Sequence, residues 1–348
     1  MRFLIIRLSS IGDIVHALPA VSALARTFPD ADVDWVVEAR YAVLLEGNPW
    51  VKRVVKLDTL GWRSNLSSSA VIEKVARGIA LLRETTYDAV LDFQGLIKSA
   101  IISKVSRSQR RLGFAENWLR EPAAGMFYDE SVAPRDRRHI IEMNFALAEH
   151  LGARNPGPAE WEFPLPGNQS DDSYIEKQLS EIDAKDFLVI NPGGGWQAKR
   201  WAPRRYAEII RRLDAECSGK IILTGSPEEE ALVREILNLA NSTRAHYIPS
   251  TLVQLIALVR RARLFLSGDT GPMHLAAAVR APIVAIFGST DPLNTPERNG
   301  PFSPADIMLS NGHPLSFSRE IKTPHYIEGV STEAVFMAVR ERLARAHA

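Results

Sequence analysis

The chain has 348 residues, 46% of them hydrophobic and 24% charged, and its length exceeds what one hydrophobic core usually serves, so two domains are expected. With 42 Lys and Arg against 41 Asp and Glu, the net charge of +1 argues against sequence-independent nucleic-acid binding, which needs a broad basic surface. A single cysteine, Cys217, excludes an intrachain disulfide and a multi-cysteine metal site and fits a reducing cytosol.

The opening Met1–Arg7 is too short and too charged for a signal peptide, and no apolar run reaches the ~20 residues of a membrane helix, so a soluble protein is expected. Phe3–Arg7 reads as a strand, and Ile14–Thr27 as a helix with Ile14, Leu18, Val21 and Leu24 on one face. Val33–Val37 and Val51–Leu57 follow as strands and Ala70–Arg83 as an amphipathic helix. Asp88–Phe93 is a strand that ends at Gln94-Gly95 and leads into a helix over Leu96–Val105. Around Asn155-Pro156-Gly157-Pro158 and Pro164-Leu165-Pro166-Gly167 the chain turns proline- and glycine-rich, as linkers do. The alternation then restarts: strand Phe187–Ile190, helix Arg204–Glu216, strand Ile221–Leu223, helix Glu228–Leu239, strand Arg263–Leu266 and strand Ile283–Phe287, with a last helix at Thr332–Ala344. Continuous apolar strands alternating with helices argue for α/β domains with parallel sheets covered on both faces. In that architecture ligands sit at the carboxyl ends of the strands, where the Gly-bearing turns of this chain fall.

Four of those turns carry chemistry. In Ser9-Ser10-Ile11-Gly12-Asp13 two readings are open: Asp13 caps the helix, or it is a carboxylate, ionised at neutral pH, that accepts a proton. Asn191–Trp201 places Gly193, Gly194 and Gly195 ahead of Lys199 and Arg200. Glycines allow close backbone approach to a ligand and Lys199 is a point charge suited to a diphosphate, the alternative being a solvated surface loop. It is not a Walker A motif, which would end in Lys-Ser or Lys-Thr. The acids Glu228, Glu229 and Glu230 either complement a helix dipole or bind ribose hydroxyls. Leu266–His274 combines a strand, the turn Gly268-Asp269-Thr270-Gly271 and a helix start at Pro272. It is either an anion site built on free N–H groups or a well-capped turn. Between Gln94 and Ala115 stand Lys98, Lys104, Arg107, Arg110 and Arg111 with no acid, and Arg120, Arg135, Arg137, Arg138 and His139 lie nearby. They form a solvated face or a positive surface for an acidic substrate. The eight histidines show no paired metal spacing, so no catalytic metal is expected.

These residues together resemble the bacterial lipopolysaccharide heptosyltransferases, glycosyltransferase family nine. The resemblance rests on Leu8–Asp13 with His16 and Leu18-Pro19-Ala20, Asp34–Glu38, Asp92–Ser99, Arg120-Glu121-Pro122 with Phe127-Tyr128, Ala198–Trp201, Ser267–Gly271 with His274, and Phe287–Pro292. It implies a GT-B fold: two Rossmann-like doubly wound parallel-sheet domains facing a cleft, over 1–155 and 169–330, joined by a linker at 156–168. For the terminal helix in 331–348, packing back on the first domain is one option. It further implies ADP-L-glycero-β-D-manno-heptose as donor and the Kdo residue of Kdo2-lipid A as acidic acceptor. Inversion would proceed without metal or other cofactor, at the cytoplasmic face of the inner membrane. On that pattern Asp13 looks like the general base, Lys199 the cation on the diphosphate and Glu229 the ribose contact. Gly193, Gly194, Asp269, Thr270, Gly271 and His274 would line the donor site. Ser10, Gly12, Arg63, Gln94, Arg120 and His139 would serve the acceptor, with Arg63 the one cation in Leu60–Asn65. The alternatives are an already heptosylated acceptor, a transferase of another ADP-sugar, an epimerase, or a nucleotide-sugar-binding protein that transfers nothing.

Overall fold

A computed structural model describes every residue except 60–68, 136, 196–198, 217, 289–293, 313–324 and 346–348. The first unit, Met1–Pro166, runs β1 (Arg2–Ile6), α1 (Ile11–Thr27), β2 (Asp32–Glu38), β3 (Arg53–Leu57), α2 (Ser69–Arg83), β4 (Ala89–Asp92), α3 (Ile97–Val105), β5 (Arg111–Phe114), β6 (Glu130–Val132) and α4 (Ile140–His150). Its strands form one parallel sheet in the order β3-β2-β1-β4-β5-β6. Ile6 at the end of β1 pairs with Val36 on one side and Asp92 on the other. The order therefore reverses between β1 and β4, and the turns leaving those two strands share one crevice.

The second unit, Gly167–Ala348, repeats the plan. It runs α5 (Gln169–Glu181), β7 (Phe187–Asn191), α6 (Pro203–Glu216), β8 (Lys220–Leu223), α7 (Glu230–Ala240), β9 (Ala245–Tyr247), α8 (Leu252–Val259), β10 (Leu264–Gly268), α9 (Gly271–Ala278), β11 (Ile283–Phe287), α10 (Pro296–Asn299), β12 (Ile307–Ser310), α11 (His325–Glu328) and α12 (Thr332–Arg345). The sheet order is β12-β11-β10-β7-β8-β9, all parallel, so its reversal lies between β7 and β10. Strands β7, β10 and β11 are buried throughout, as a sheet covered by helices on both faces requires. Among the described residues no helix is long and apolar enough to cross a membrane.

The boundary between the units falls within the expected linker at 156–168, and most of that stretch is held by the first unit. Trp161 is buried, stacks on Phe145 and donates its indole N–H to Asn155 Oδ1 at 2.8 Å, while Glu162 pairs with Arg26 at 2.6 Å. The terminal helix α12, for which sequence left the packing partner open, gives its apolar face to the second unit: Val335, Phe336 and Val339 join the core of Leu264, Leu266, Val284 and Ile286. A buried ion pair, Arg342 Nε to Asp306 Oδ1 at 2.9 Å, fixes it beside β12. The strands not expected from sequence are β5, β6, β9 and β12, which are three or four residues long and carry exposed or half-buried positions, too short for alternation to show.

Candidate active site

In the first unit the turn after β1 is built around Asp13. Ser10 is the N-cap of α1, and Asp13, three residues on, accepts from both the Ser10 backbone N–H at 2.8 Å and the Ser10 hydroxyl at 3.0 Å. Gly12 lies buried beside it in the first turn. The other carboxylate oxygen of Asp13 contacts the guanidinium of Arg7, which also donates to the carbonyl of Phe93. Arg7 is buried, whereas 37% of the Asp13 side chain is exposed, so the carboxylate has a wet side and a cationic back. Burial by itself would raise Asp13, but the Arg7 guanidinium and the two Ser10 bonds outweigh it and hold the carboxyl below the usual carboxylate range.

Across the crevice Gln94 follows β4. Its side-chain oxygen accepts the backbone N–H groups of Leu8 at 3.0 Å and Ser9 at 3.2 Å, so it braces the turn that carries Ser10 and Asp13. Gln94 is itself held by Asp92, whose Oδ1 accepts the N–H of Gln94 at 2.8 Å and of Gly95 at 3.2 Å, while Oδ2 accepts the Tyr128 hydroxyl at 2.8 Å. Asp92 is fully buried, and burial pushes its carboxyl up against the pull of those bonds. Gly113 leaves the space that the Tyr128 ring fills; a side chain there would collide with it.

The remaining acceptor-side residues are less closely gathered. His139 is the N-cap of α4: its Nδ1 accepts the N–H of Ile141 at 3.3 Å, and its ring lies edge-on to His16, one turn beyond Asp13 on α1, with centroids 5.8 Å apart. Arg120 is exposed in the segment between β5 and β6. Arg63 lies outside the described residues.

In the second unit the turns after β7, β8 and β10 interlock. Glu229 reaches back from the single 3-10 turn Pro227–Glu229, where its Oε2 accepts the N–H of Ser226 at 3.0 Å and its Oε1 that of Gly194 at 3.1 Å. Gly193 is required there, since a Cβ would sit on the Glu229 carboxylate. Arg200 Nε donates to the Gly194 carbonyl at 2.8 Å. Lys199 Nζ donates to Asp269 Oδ2 at 2.5 Å, and Asn294 Nδ2 donates to the same oxygen at 2.5 Å. His274 Nε2 lies 3.9 Å from Asp269 Oδ1. Asp269 is buried, which would raise its carboxyl; Lys199, then His274 and the two hydrogen bonds, hold it below the usual range. Thr270 is the N-cap residue of α9 but makes no side-chain cap bond, and its buried hydroxyl has no partner among the described residues, so Gly271 opens the helix with first-turn N–H groups of the kind that take an anion.

The structure thus brings Ser10, Gly12, Asp13 and Gln94 to one switch point and Gly193, Gly194, Lys199, Asp269, Thr270, Gly271 and His274 to the other, with Glu229 tying the neighbouring turn. The sequence reading missed Arg7, Asp92 and Asn294. Arg7 had a signal, a cation directly after an apolar strand. Asp92 at the last position of a buried strand had a similar one, and Asn294 had none.

The model of "Glycosyltransferase family 9 (heptosyltransferase)" matches residues 75–326. Lipopolysaccharide heptosyltransferase 1 of Pseudomonas aeruginosa is 30% identical over 320 residues, 91% of this chain and 85% of that protein. Its namesake from Escherichia coli K12 is 29% identical over 84% of this chain and 89% of that protein. The solved structure of E. coli heptosyltransferase WaaC with ADP-2-deoxy-2-fluoro heptose superposes with a TM-score of 0.77 at 24% identity, covering 98% of this chain and 99% of that one. Two parallel-sheet units of the GT-B kind, each with its candidate site turns at the reversal of strand order, agree with that match, and the chain belongs to glycosyltransferase family 9, the heptosyltransferases.

Proposed function

We propose that this glycosyltransferase moves L-glycero-D-manno-heptose from ADP-heptose to the Kdo residue of a lipid A-linked acceptor, with inversion and without a metal. The observation that carries the reading is a division of charge between two equivalent places in the fold. The switch point of the first sheet holds an ionised carboxylate, Asp13, and that of the second holds Lys199 beside a helix N-terminus. Displacement at an anomeric carbon builds negative charge on the departing diphosphate. Lys199 and the first-turn N–H groups of α9 supply fixed positive ends for it. In this reading Lys199 passes from Asp269 to the diphosphate, and Asn294 and His274 remain on the Asp269 carboxylate. Asp13 takes the proton of the attacking Kdo hydroxyl, and attack on the face opposite the leaving group inverts the centre. Glu229 has both carboxylate oxygens on backbone N–H groups, so it acts on an adenosine ribose through the loop it shapes and through its remaining lone pairs. The names of the P. aeruginosa and E. coli relatives, and the ADP-heptose analogue in the WaaC structure, support the choice of donor.

The test is mass spectrometry of Kdo2-lipid A incubated with purified protein and ADP-heptose. One added heptose per acceptor is expected. Transfer only to an already heptosylated core would reassign the acceptor, and release of free sugar or epimer without transfer would overturn the reading.

A further inference from the structure

Helix α3 buries Ala100 and Ile102 against the core together with the polar Ser99 and Ser103, and Ser99 turns its hydroxyl back to the Leu96 carbonyl at 2.8 Å. Its exposed stripe is Ile97, Ile101 and Lys104, spaced four and three residues apart, with Ile97 39% and Ile101 45% exposed. A solvated surface helix carries polar residues along such a stripe. Single exposed apolar side chains are ordinary, but these two have company. The 3-10 turn Pro122–Phe127 packs beside α3 and exposes Met126 by 79%, and the turn Glu116–Trp118 packs on Pro122–Phe127 and exposes Trp118 by 38%. Leu119 lies buried between them, against Gly95 at the start of α3 and Gly125 in the second turn, and the N–H of Ile97 bonds Glu121 Oε2 at 2.7 Å. The protruding apolar groups therefore stand on one braced platform.

Cations surround it. Lys104, Arg107 and Arg120 are exposed, and Arg83 at the end of α2 reaches the Val105 carbonyl at 3.3 Å. The acids on the platform are Glu116 and Glu121, and Glu121 is engaged by the Ile97 N–H. Apolar groups that protrude through a basic rim match a lipid surface with anionic headgroups, where the side chains enter the acyl boundary and the cations meet the charge. We propose that α3 and its two flanking 3-10 turns dock this protein on an anionic bilayer. The platform begins directly after the turn that carries Gln94, so docking presents the acceptor-side edge of the first sheet to the membrane. The proposal rests on the lipid-linked acceptor for its purpose, while vesicle binding tests it with no substrate present.

The experiment is co-sedimentation of the full chain with vesicles of phosphatidylethanolamine and phosphatidylglycerol, free of any glycolipid. Wild type is expected to pellet with them, to pellet less as salt rises, and to stay in solution with vesicles of phosphatidylcholine alone. The I101E/M126E variant alters two exposed side chains outside the reactive turns. It is expected to keep the wild-type melting temperature and its turnover on a water-soluble Kdo acceptor, and to lose at least ~10-fold in vesicle affinity. Equal binding by the variant, or no wild-type binding at low salt, overturns the proposal. So does a wild-type dimer in sedimentation velocity that I101E/M126E dissociates, since the platform would then belong to a second copy. Vesicle binding without heptose transfer would leave the docking surface standing and remove the proposed reaction instead.

Discussion

The guanidinium of Arg7 stands behind the carboxylate of Asp13, joined on its other side to the Phe93 carbonyl. One buried side chain therefore locks the end of β1 to the end of β4 and helps hold the carboxyl of the residue proposed as base below its usual range. The relationship depends on the strand order: only where β1 and β4 are neighbours, with Ile6 beside Asp92, does an arginine at the end of one strand reach the backbone after the other.

Replacing Asp13 by Asn keeps the size of the side chain and removes its capacity to take a proton. Turnover is expected to fall by roughly 10²–10⁴, while the dissociation constant for ADP-heptose, measured by calorimetry, stays near wild type because the residues proposed for the donor lie on the second unit. Unchanged turnover would take Asp13 out of the chemistry.

Arg7→Met removes the cation and leaves the burial of Asp13 in place. Since burial raises the carboxyl and Arg7 lowers it, the variant's Asp13 protonates at higher pH, and the acid limb of its kcat/KM profile moves up relative to wild type. The stability that the depressed Asp13 contributes in wild type is present above about pH 3.9 and lost as pH falls through the folded value. Arg7→Lys, which restores a charge, is expected to bring the limb part of the way back. Superimposable profiles for all three proteins would mean that Arg7 only packs.

Lys199 and Asp269 share one short contact, so their substitutions should not add. Lys199→Ala is expected to weaken ADP-heptose binding by at least ~10-fold, about 1.4 kcal/mol, and to lower thermal stability by stranding a buried carboxylate. Adding Asp269→Asn to it should recover stability without recovering affinity. Recovery of affinity as well would show that the lysine matters for folding and not for the diphosphate.

The buried pair of Arg342 and Asp306 has no place in the reaction, and Arg342→Met separates structure from function. Breaking such a pair costs about 3–5 kcal/mol, which should lower the melting temperature by roughly 6 °C or more with kcat unchanged. Burial already pushes the Asp306 carboxyl up. A carboxyl raised on folding destabilises at neutral pH and is relieved on protonation, so the deficit of the variant should narrow as pH falls toward the usual carboxylate range near ~4. A deficit independent of pH would point to lost packing alone.

If positive charge for the leaving group comes from Lys199 and α9, excess EDTA should leave turnover within about twofold of the untreated enzyme. Loss of activity restored by Mg²⁺ or Mn²⁺ would require a metal in the donor site.

Much of this was legible in the residues themselves. The alternation of buried strands and amphipathic helices, and the glycine turns at strand ends, are local patterns, and they located Asp13, Gly193, Gly194, Lys199 and the Asp269–Gly271 turn. What was not legible were partners distant in sequence. Glu229 meets Gly194 across 35 positions, Lys199 meets Asp269 across 70, and Gln94 meets Leu8 across 86. Each such pair arises from parallel pairing, which returns the chain to the same sheet edge only after a crossover helix.

By itself, then, the order of residues determined the kind of protein this is, because apolar periodicity and turn chemistry act over a few neighbours. Tertiary structure decided which charges face each other: Arg7 on Asp13, Lys199 on Asp269, Arg342 on Asp306. It also decided that α12 serves the second unit and that α3 turns Ile97 and Ile101 outward while Ile102 enters the core. Those outcomes depend on which strands lie side by side and on what space remains above them, and a one-dimensional pattern carries neither quantity.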